Sequence, residues 1–229
     1  MIIGISGKKQ SGKDTICKII KTLDIYYREN KVIDETNLSD IILNKIDNNS
    51  NISKWEKHAF ADSLKSALAT ILNVDKKLFE DNNFKTTNSF VKKPDGGYYT
   101  NRELLQKFGT EVGRNISKDI WVDALFNKYK IETIPEYGVN DNGDRVFLYY
   151  NRTEPYWIIP DVRFESEAKA IKDRGGILIR VNRNTGYCDN HPSETALDNY
   201  DKFDFIINNK DLKETINTVR NILIEEELL

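Results

Sequence analysis

The sequence has only two cysteines, Cys17 and Cys188. They are too few for a disulfide scaffold and lack the spacing of zinc ligands, which fits a reducing compartment. No run approaches the roughly 18 apolar residues of a membrane-spanning helix. The N-terminal stretch Ile2, Ile3, Gly4, Ile5 is too short for a signal-peptide core, so a soluble, cytoplasmic protein with no membrane partner is expected. An excess of one charge is also missing: 34 Lys and Arg face 36 Asp and Glu, a net charge of -2. With a pI near 5.9, this balance excludes a disordered polyelectrolyte and gives no general electrostatic case for nucleic acid. An anionic ligand must therefore be held by a local cluster. There is no internal repeat.

What is present is a foldable chain of 229 residues, 39% hydrophobic and 10% aromatic, the size of one domain with room for an insertion. The apolar run from Ile2 to Ile5 predicts a buried strand, and the pattern from Asp14 to about Tyr27 predicts a helix. Residues 28–57 are polar and Asn-rich, with an amphipathic patch at Leu38, Ile41, Ile42 and Ile46, and read as a surface insertion. His58 to Ala61 reads as a short strand, with Asp62 as N-cap of a helix carrying Leu64, Leu68 and Leu72. Further helices are expected over Arg102 to Ile116 and Lys118 to Tyr129. Asn142-Gly143 predicts a hairpin over 138–150, a possible flap. Strands follow at Tyr156 to Asp161, Ile177 to Val181 and Phe203 to Ile207, and a helix closes the chain from Leu212. Strands alternating with helices predict an α/β fold, a parallel sheet flanked by helices.

Gly7-Lys8-Lys9-Gln10-Ser11-Gly12-Lys13 matches the G-x-x-x-x-G-K pattern of a phosphate-binding P-loop and lies between a strand and a helix, as such a loop must. Glycines let successive N–H groups turn toward phosphate oxygens, the helix N-terminus adds partial positive charge, and Lys13 reaches the terminal phosphates. The hydroxyl that usually follows the lysine is replaced by Asp14, with Thr15 one position later, so the magnesium ligand is shifted or absent.

Other residues are candidates by position. Asp161 ends a buried strand and Arg163 follows, so both should face the loop. Asp161 would hold magnesium and Arg163 would stabilise the moving phosphoryl group. The plainer alternative is a helix cap and a surface ion pair. Lys65, Arg102 and Arg114 are candidate phosphate clamps, with solvated helix faces as the alternative. Lys9 reads equally as an acceptor ligand or a solvated loop residue. Trp121 is either a flat face for a base or core. Arg180 and Arg183 read as lid arginines over ATP. His191 reads as a structural residue of its loop.

Together, Gly7 to Thr15, Phe60-Ala61-Asp62-Ser63-Leu64-Lys65, Arg102 to Glu111, Trp121-Val122 and Pro160-Asp161-Val162-Arg163-Phe164 resemble, in the same order, the deoxynucleoside monophosphate kinases of tailed bacteriophages. The resemblance covers most of the chain and accounts for the Gly-Lys-Asp-Thr variant of the loop. It implies an adenylate-kinase-like P-loop fold with helical insertions and a lid, ATP and Mg2+ as donor and metal, and a dNMP as acceptor. It implies a place in the host cytoplasm if the chain is viral. By matching position, Lys13, Asp14 and Thr15 would serve ATP and magnesium, and Lys9, Lys65, Arg102, Trp121 and Arg163 the acceptor or the transfer. Other readings are a P-loop kinase of phosphomevalonate or dephospho-coenzyme A, and an ATP-binding switch. A homodimer is a further expectation.

Overall fold

The computed structural model of the protein describes residues 1–29, 53–184, 186 and 191–229. The amphipathic patch at Leu38, Ile41, Ile42 and Ile46 lies outside the described residues, as do Thr185 and Tyr187. β1 (Ile2–Ser6) is buried along its whole length, as a strand covered on both faces must be. It is the centre of a five-stranded, wholly parallel sheet in the order β2-β7-β1-β8-β9, formed with β2 (Trp55–Lys57), β7 (Tyr156–Val162), β8 (Ile177–Asn182) and β9 (Phe205–Asn208). The register sets Ile3 beside Ile158 and Ile177, and Ser6 beside Arg180.

Alternation along β1 divides the core. Ile3 and Ile5 point to one face, where α1 (Lys13–Arg28) and the C-terminal α8 (Leu212–Glu225) bury Ile16, Ile19, Ile20, Leu23, Val219 and Leu223. Ile2 points to the other face, toward Val122 and Leu125 of α5 (Ile120–Phe126) and Ala168 and Ile171 of α6 (Glu165–Lys172). At about 1.5–3 kcal/mol per fully buried aliphatic side chain, these two layers are the main source of stability. A third, smaller cluster joins α2 (Ala61–Leu72), a 3-10 turn (Lys76–Glu80), the short α3 (Asn82–Thr86) and α4 (Asn101–Lys107) through Leu68, Leu72, Phe79, Leu104 and Leu105.

Several elements differ from expectation. The strand read at His58 to Ala61 lies earlier, at β2, because Trp55 packs edge-on against Tyr156 and carries the chain into the sheet. The last part of the expected insertion over 28–57 is therefore an edge strand of the central sheet, anchored by buried Trp55. Buried Asp24 ties that entry to α1, accepting from Ser53 Oγ at 2.7 Å and the Lys54 N–H at 2.9 Å. Asp62 does not cap α2: the helix starts one residue earlier, and Asp62 accepts from the Ala59 N–H. The Arg102 to Ile116 helix begins with a Thr100–Glu103 capping box, then widens into a π-helix over Phe108–Gly113 before a last turn, Arg114–Ile116. Around Pro94-Asp95-Gly96-Gly97 the chain forms a small hairpin, β3 (Asn88–Lys92) and β4 (Tyr98–Thr100). The expected 138–150 hairpin is longer, with β5 (Glu132–Val139) and β6 (Arg145–Thr153) carrying exposed Ile134, Tyr137, Phe147 and Leu148.

The paired glycines between α6 and β8 have different reasons to be glycine. Gly175 has φ +72° in open space, a left-handed helix end, whereas a Cβ on Gly176 would stand 2.8 Å from the Ile2 carbonyl oxygen. Gly176→Ala should lower unfolding free energy by about 1–3 kcal/mol in a urea titration, since the added Cβ would meet both the buried Ile171 Cγ2 at 2.6 Å and the Ile2 carbonyl oxygen at 2.8 Å.

Candidate active site

A parallel sheet sends the carboxyl ends of all its strands to one edge. Here the edge collects the Gly7 to Gly12 loop after β1, His58 to Phe60 after β2, Arg163 after β7, Arg183 after β8 and Asn209 after β9. The chain leaves β1 toward β2 on one side and β8 toward β9 on the other, so the crevice between β1 and β8 is the switch point where α/β sheets bind ligands.

The loop is held tightly. Gly7 has no room for a side chain, since a Cβ would sit 2.6 Å from the Val181 carbonyl oxygen and from Ser11 Oγ. Gln10 and Gly12 adopt left-handed φ values of 65° and 99°, and a side chain on Gly12 would run into Asn209. Asn209 fastens the loop from β9, donating to the Ser11 carbonyl at 2.8 Å and accepting from Thr215 Oγ1 at 3.1 Å. Sequence reasoning missed Asn209, which is 198 positions from its partner and carries no motif. Ser11 Oγ is buried without a hydrogen-bond partner, and the N-terminus of α1 has no side-chain cap, leaving polar hydrogens unused at the loop. Thr15 lies in the first turn of that helix, half-buried.

Lys13 folds back over this curl, its Nζ donating to the carbonyls of Gly7 at 2.5 Å and Lys8 at 2.7 Å. Burial, with the nearby Arg163 guanidinium, pulls its pKa down to about 8, against the opposing pull of Glu194 and Asp14. Arg163 pairs with Glu194 and donates to the Ser193 carbonyl. Arg180 reaches Ser6 Oγ at 3.0 Å and Asp198 at 2.9 Å, and Lys8 reaches the same Asp198 carboxylate. The structure thus brings Lys13, Arg163 and Arg180 together around the loop. The Lys9 backbone N–H donates to Glu194. Exposed Arg183 joins none of these ion pairs.

Asp161 has a structural task. Its two oxygens accept from the N–H groups of Phe60 at 3.0 Å and Ala61 at 2.9 Å, capping α2 across the sheet. Burial raises its pKa against those bonds and the charges of Arg163 and Lys65. The helix-cap alternative therefore describes its contacts, although the helix is α2 and not the one that follows Asp161. Glu167, also missed, is 3% exposed and accepts from the N–H groups of Arg163 and Phe164 and from Arg114 Nη2 at 2.5 Å. The Arg114 guanidinium carbon sits over the Phe164 ring, 3.6 Å from its centroid, and the side chain is committed to the Glu167 pair, so the contacts it makes are not those of a free phosphate clamp. Burial, with the Asp161 carboxylate adding to it, raises Glu167 to about 7. A capping signal was present in Glu167 at the third position of its helix, but its arginine partner was not visible.

On the far side of the loop, Asp14, 76% exposed, accepts from Lys57 Nζ at 2.6 Å. Burial opposes its ionisation, but the Lys57 bond and the charges of Lys57, Lys13 and Lys65 win and lower its pKa. Lys65, 15% exposed, pairs with Glu80, and Arg102 makes a long 3.5 Å contact with Asn82. Lys85, unnoticed in the sequence, joins them: burial, then the charges of Lys65 and Arg102, lower its pKa. Lys65, Lys85 and Arg102 thus form a second group of cations, on the α2–α4 unit. Trp121 is pinned by its indole N–H to the Gly109 carbonyl at 2.8 Å and packs against Gly113, leaving no room for a Cβ there, whereas at Gly109 the space is taken by Leu64. Its contacts within the chain are those of a packing residue, and part of its surface stays open. His191 caps α7 (Pro192–Thr195), accepting from the Ser193 N–H, in line with the structural reading of it.

Fold and edge therefore define an α/β protein with two groups of cations at the ends of its parallel strands. The deoxynucleotide monophosphate kinase family matches residues 25–219. A protein of Acanthamoeba polyphaga mimivirus that carries the name of that kinase is 30% identical over 165 residues, covering 68% of this chain and 76% of the viral one. The chain belongs to the deoxynucleotide monophosphate kinases, which are phosphotransferases. The family match begins after the Gly7–Lys13 loop. Among the described residues no helix is long and apolar enough to cross a membrane.

The buried Glu167 gives a pH signature. A carboxyl whose folded pKa is raised binds its proton more tightly folded than unfolded, so its contribution to stability declines as pH rises from about 4.5 to 7. The stability difference between wild type and Glu167→Gln, from melts at successive pH values, should shift against the wild type over that window. The shift should be at most about 3 kcal/mol.

Proposed function

We propose that the protein transfers the γ-phosphoryl group of ATP to the 5'-phosphate of a deoxynucleoside monophosphate, giving ADP and the deoxynucleoside diphosphate for dNTP synthesis. The observation that carries this is the meeting of Lys13, Arg163 and Arg180 around a glycine-shaped loop at the β1–β8 switch point, beside a second cation group on the α2–α4 unit. Two polyanions must be brought together for this reaction, and two adjoining positive sites of unequal make-up answer that requirement.

An oxygen of the acceptor phosphate attacks the γ-phosphorus in line, and the bond to the β,γ-bridging oxygen breaks, leaving ADP. No proton need be abstracted from an ionised phosphate, so positioning and charge carry the catalysis. Gly7, Ser11, Gly12, Lys13 and the first turn of α1 hold the donor phosphates through N–H groups and the Lys13 ammonium, aided by Arg180 and Arg183. Arg163 neutralises charge on the group in transit. Lys65 and Arg102, with Lys9, hold the acceptor phosphate, and the open part of Trp121 borders its base.

Magnesium fits these residues. A phosphate-bound magnesium ion keeps several waters and needs only one or two protein oxygens, here the Thr15 hydroxyl with Asp161 acting through water, since both Asp161 oxygens are committed to α2. Bound there, it would offset charge on the bridging oxygens.

Purified protein with ATP and magnesium should form a diphosphate from one or more of dTMP, dGMP, dCMP and dAMP, detected directly as product. Silence with every nucleotide but turnover of phosphomevalonate would make it another small-molecule kinase, and acceptor-independent ADP release would make it a switch. Lys13→Ala should cut kcat/KM by at least about a hundredfold with an unchanged melting curve, because a charge contact at the reacting phosphates is lost. Lys13 binds phosphate only when charged and titrates near pH 8 in the free protein, so ATP affinity should weaken as pH rises from 7 to 9. Calorimetry should show net proton uptake on binding at the upper end of that range.

A further inference from the structure

The anion-binding edge already holds an anion of its own. Glu194, on α7, has a side chain only 9% exposed. One of its oxygens pairs with the Arg163 guanidinium, the other accepts the Lys9 backbone N–H at 3.2 Å, and its charge acts on Lys13. A loop N–H, a guanidinium and an ammonium are the donors that phosphoryl oxygens require, and here a carboxylate engages the first two and acts on the third through its charge. Its position is built in. His191 caps the short helix, and Arg163 Nη1 also donates to the Ser193 carbonyl, so guanidinium and α7 are joined at two points. Asp198, four residues on, acts in parallel, accepting from Lys8 and Arg180 at 2.9 Å each. Withdrawing a carboxylate from water costs free energy unless it is paired.

We propose that Glu194 is a built-in competitor for the phosphate chain: a nucleotide binds by displacing the Glu194 carboxylate from Arg163 and from the Lys9 N–H. The residue thereby sets nucleotide affinity, and it keeps Arg163 close to the loop until phosphate arrives. The inference rests on the reading of the Gly7–Lys13 loop as the ATP site.

The test is calorimetric titration of wild type, Glu194→Gln and Glu194→Asp with the β,γ-imido analogue of ATP and magnesium, each variant checked by thermal melting. Glu194→Gln removes the charge and should bind about tenfold tighter, the scale of one charge-assisted hydrogen bond that no longer competes. Glu194→Asp keeps the charge but withdraws it by one methylene from Arg163. It should tighten binding about threefold, the effect of a weakened contact alone. Tightening in both variants supports the proposal. Tightening in Gln alone would reflect only the general field of a carboxylate and would overturn it, as would unchanged or weaker binding in both. Absence of binding in all three proteins would instead refute the ATP site, and the proposal with it.

Discussion

Positive charge gathered at one edge of a parallel sheet is the constraint around which this molecule is organised. Burial, and then the charges of Arg163 and Arg180, depress the Lys13 pKa. The fold contains the strain with carboxylates from the same edge, Glu194 against Arg163 and Asp198 against Arg180. The same charge density that makes the edge unfavourable without anions makes it receptive to a phosphate chain. Structure and proposed function are here two aspects of one electrostatic balance.

A second pair of carboxylates works beneath the surface. Asp161 takes the first N–H groups of α2, and Glu167 takes the N–H groups of Arg163 and its neighbour while holding Arg114 at the end of the π-helical segment. The end of β7 is thus linked to α2 and to the last turn, Arg114–Ile116, of the long helical segment that α4 begins. Such buried contacts matter more to geometry than the exposed Lys57–Asp14 pair, because solvent screens the latter and leaves the former at full strength.

Much of this was legible. Continuous apolar runs gave the strands at Ile2, Tyr156 and Ile177, and the glycine and lysine spacing of residues 7–13 gave the loop, since both are local patterns with local causes. Less legible were β2, whose three residues are too few for a periodic signal, and β3 and β4, which lack an apolar run. Asp161, read as a magnesium ligand or a helix cap, accepts from two N–H groups about a hundred residues away, contacts that no local pattern announces. Trp121 bonds to the Gly109 carbonyl and packs on Gly113 in the folded chain, contacts that its spacing alone did not announce.

The sequence by itself determined most of the strands and helices, where the glycine-shaped turn falls, and which residue types are available for phosphate chemistry. Each is a property of neighbours along the chain. Only the tertiary structure decided which charges meet. Glu194 lies 31 positions from Arg163, Asn209 lies 198 from Ser11, and Arg114 lies 53 from Glu167, and no spacing rule spans those distances. Parallel pairing brought these residues together by sending every strand end to the same edge, where attraction between opposite charges and the need to satisfy buried donors chose the partners.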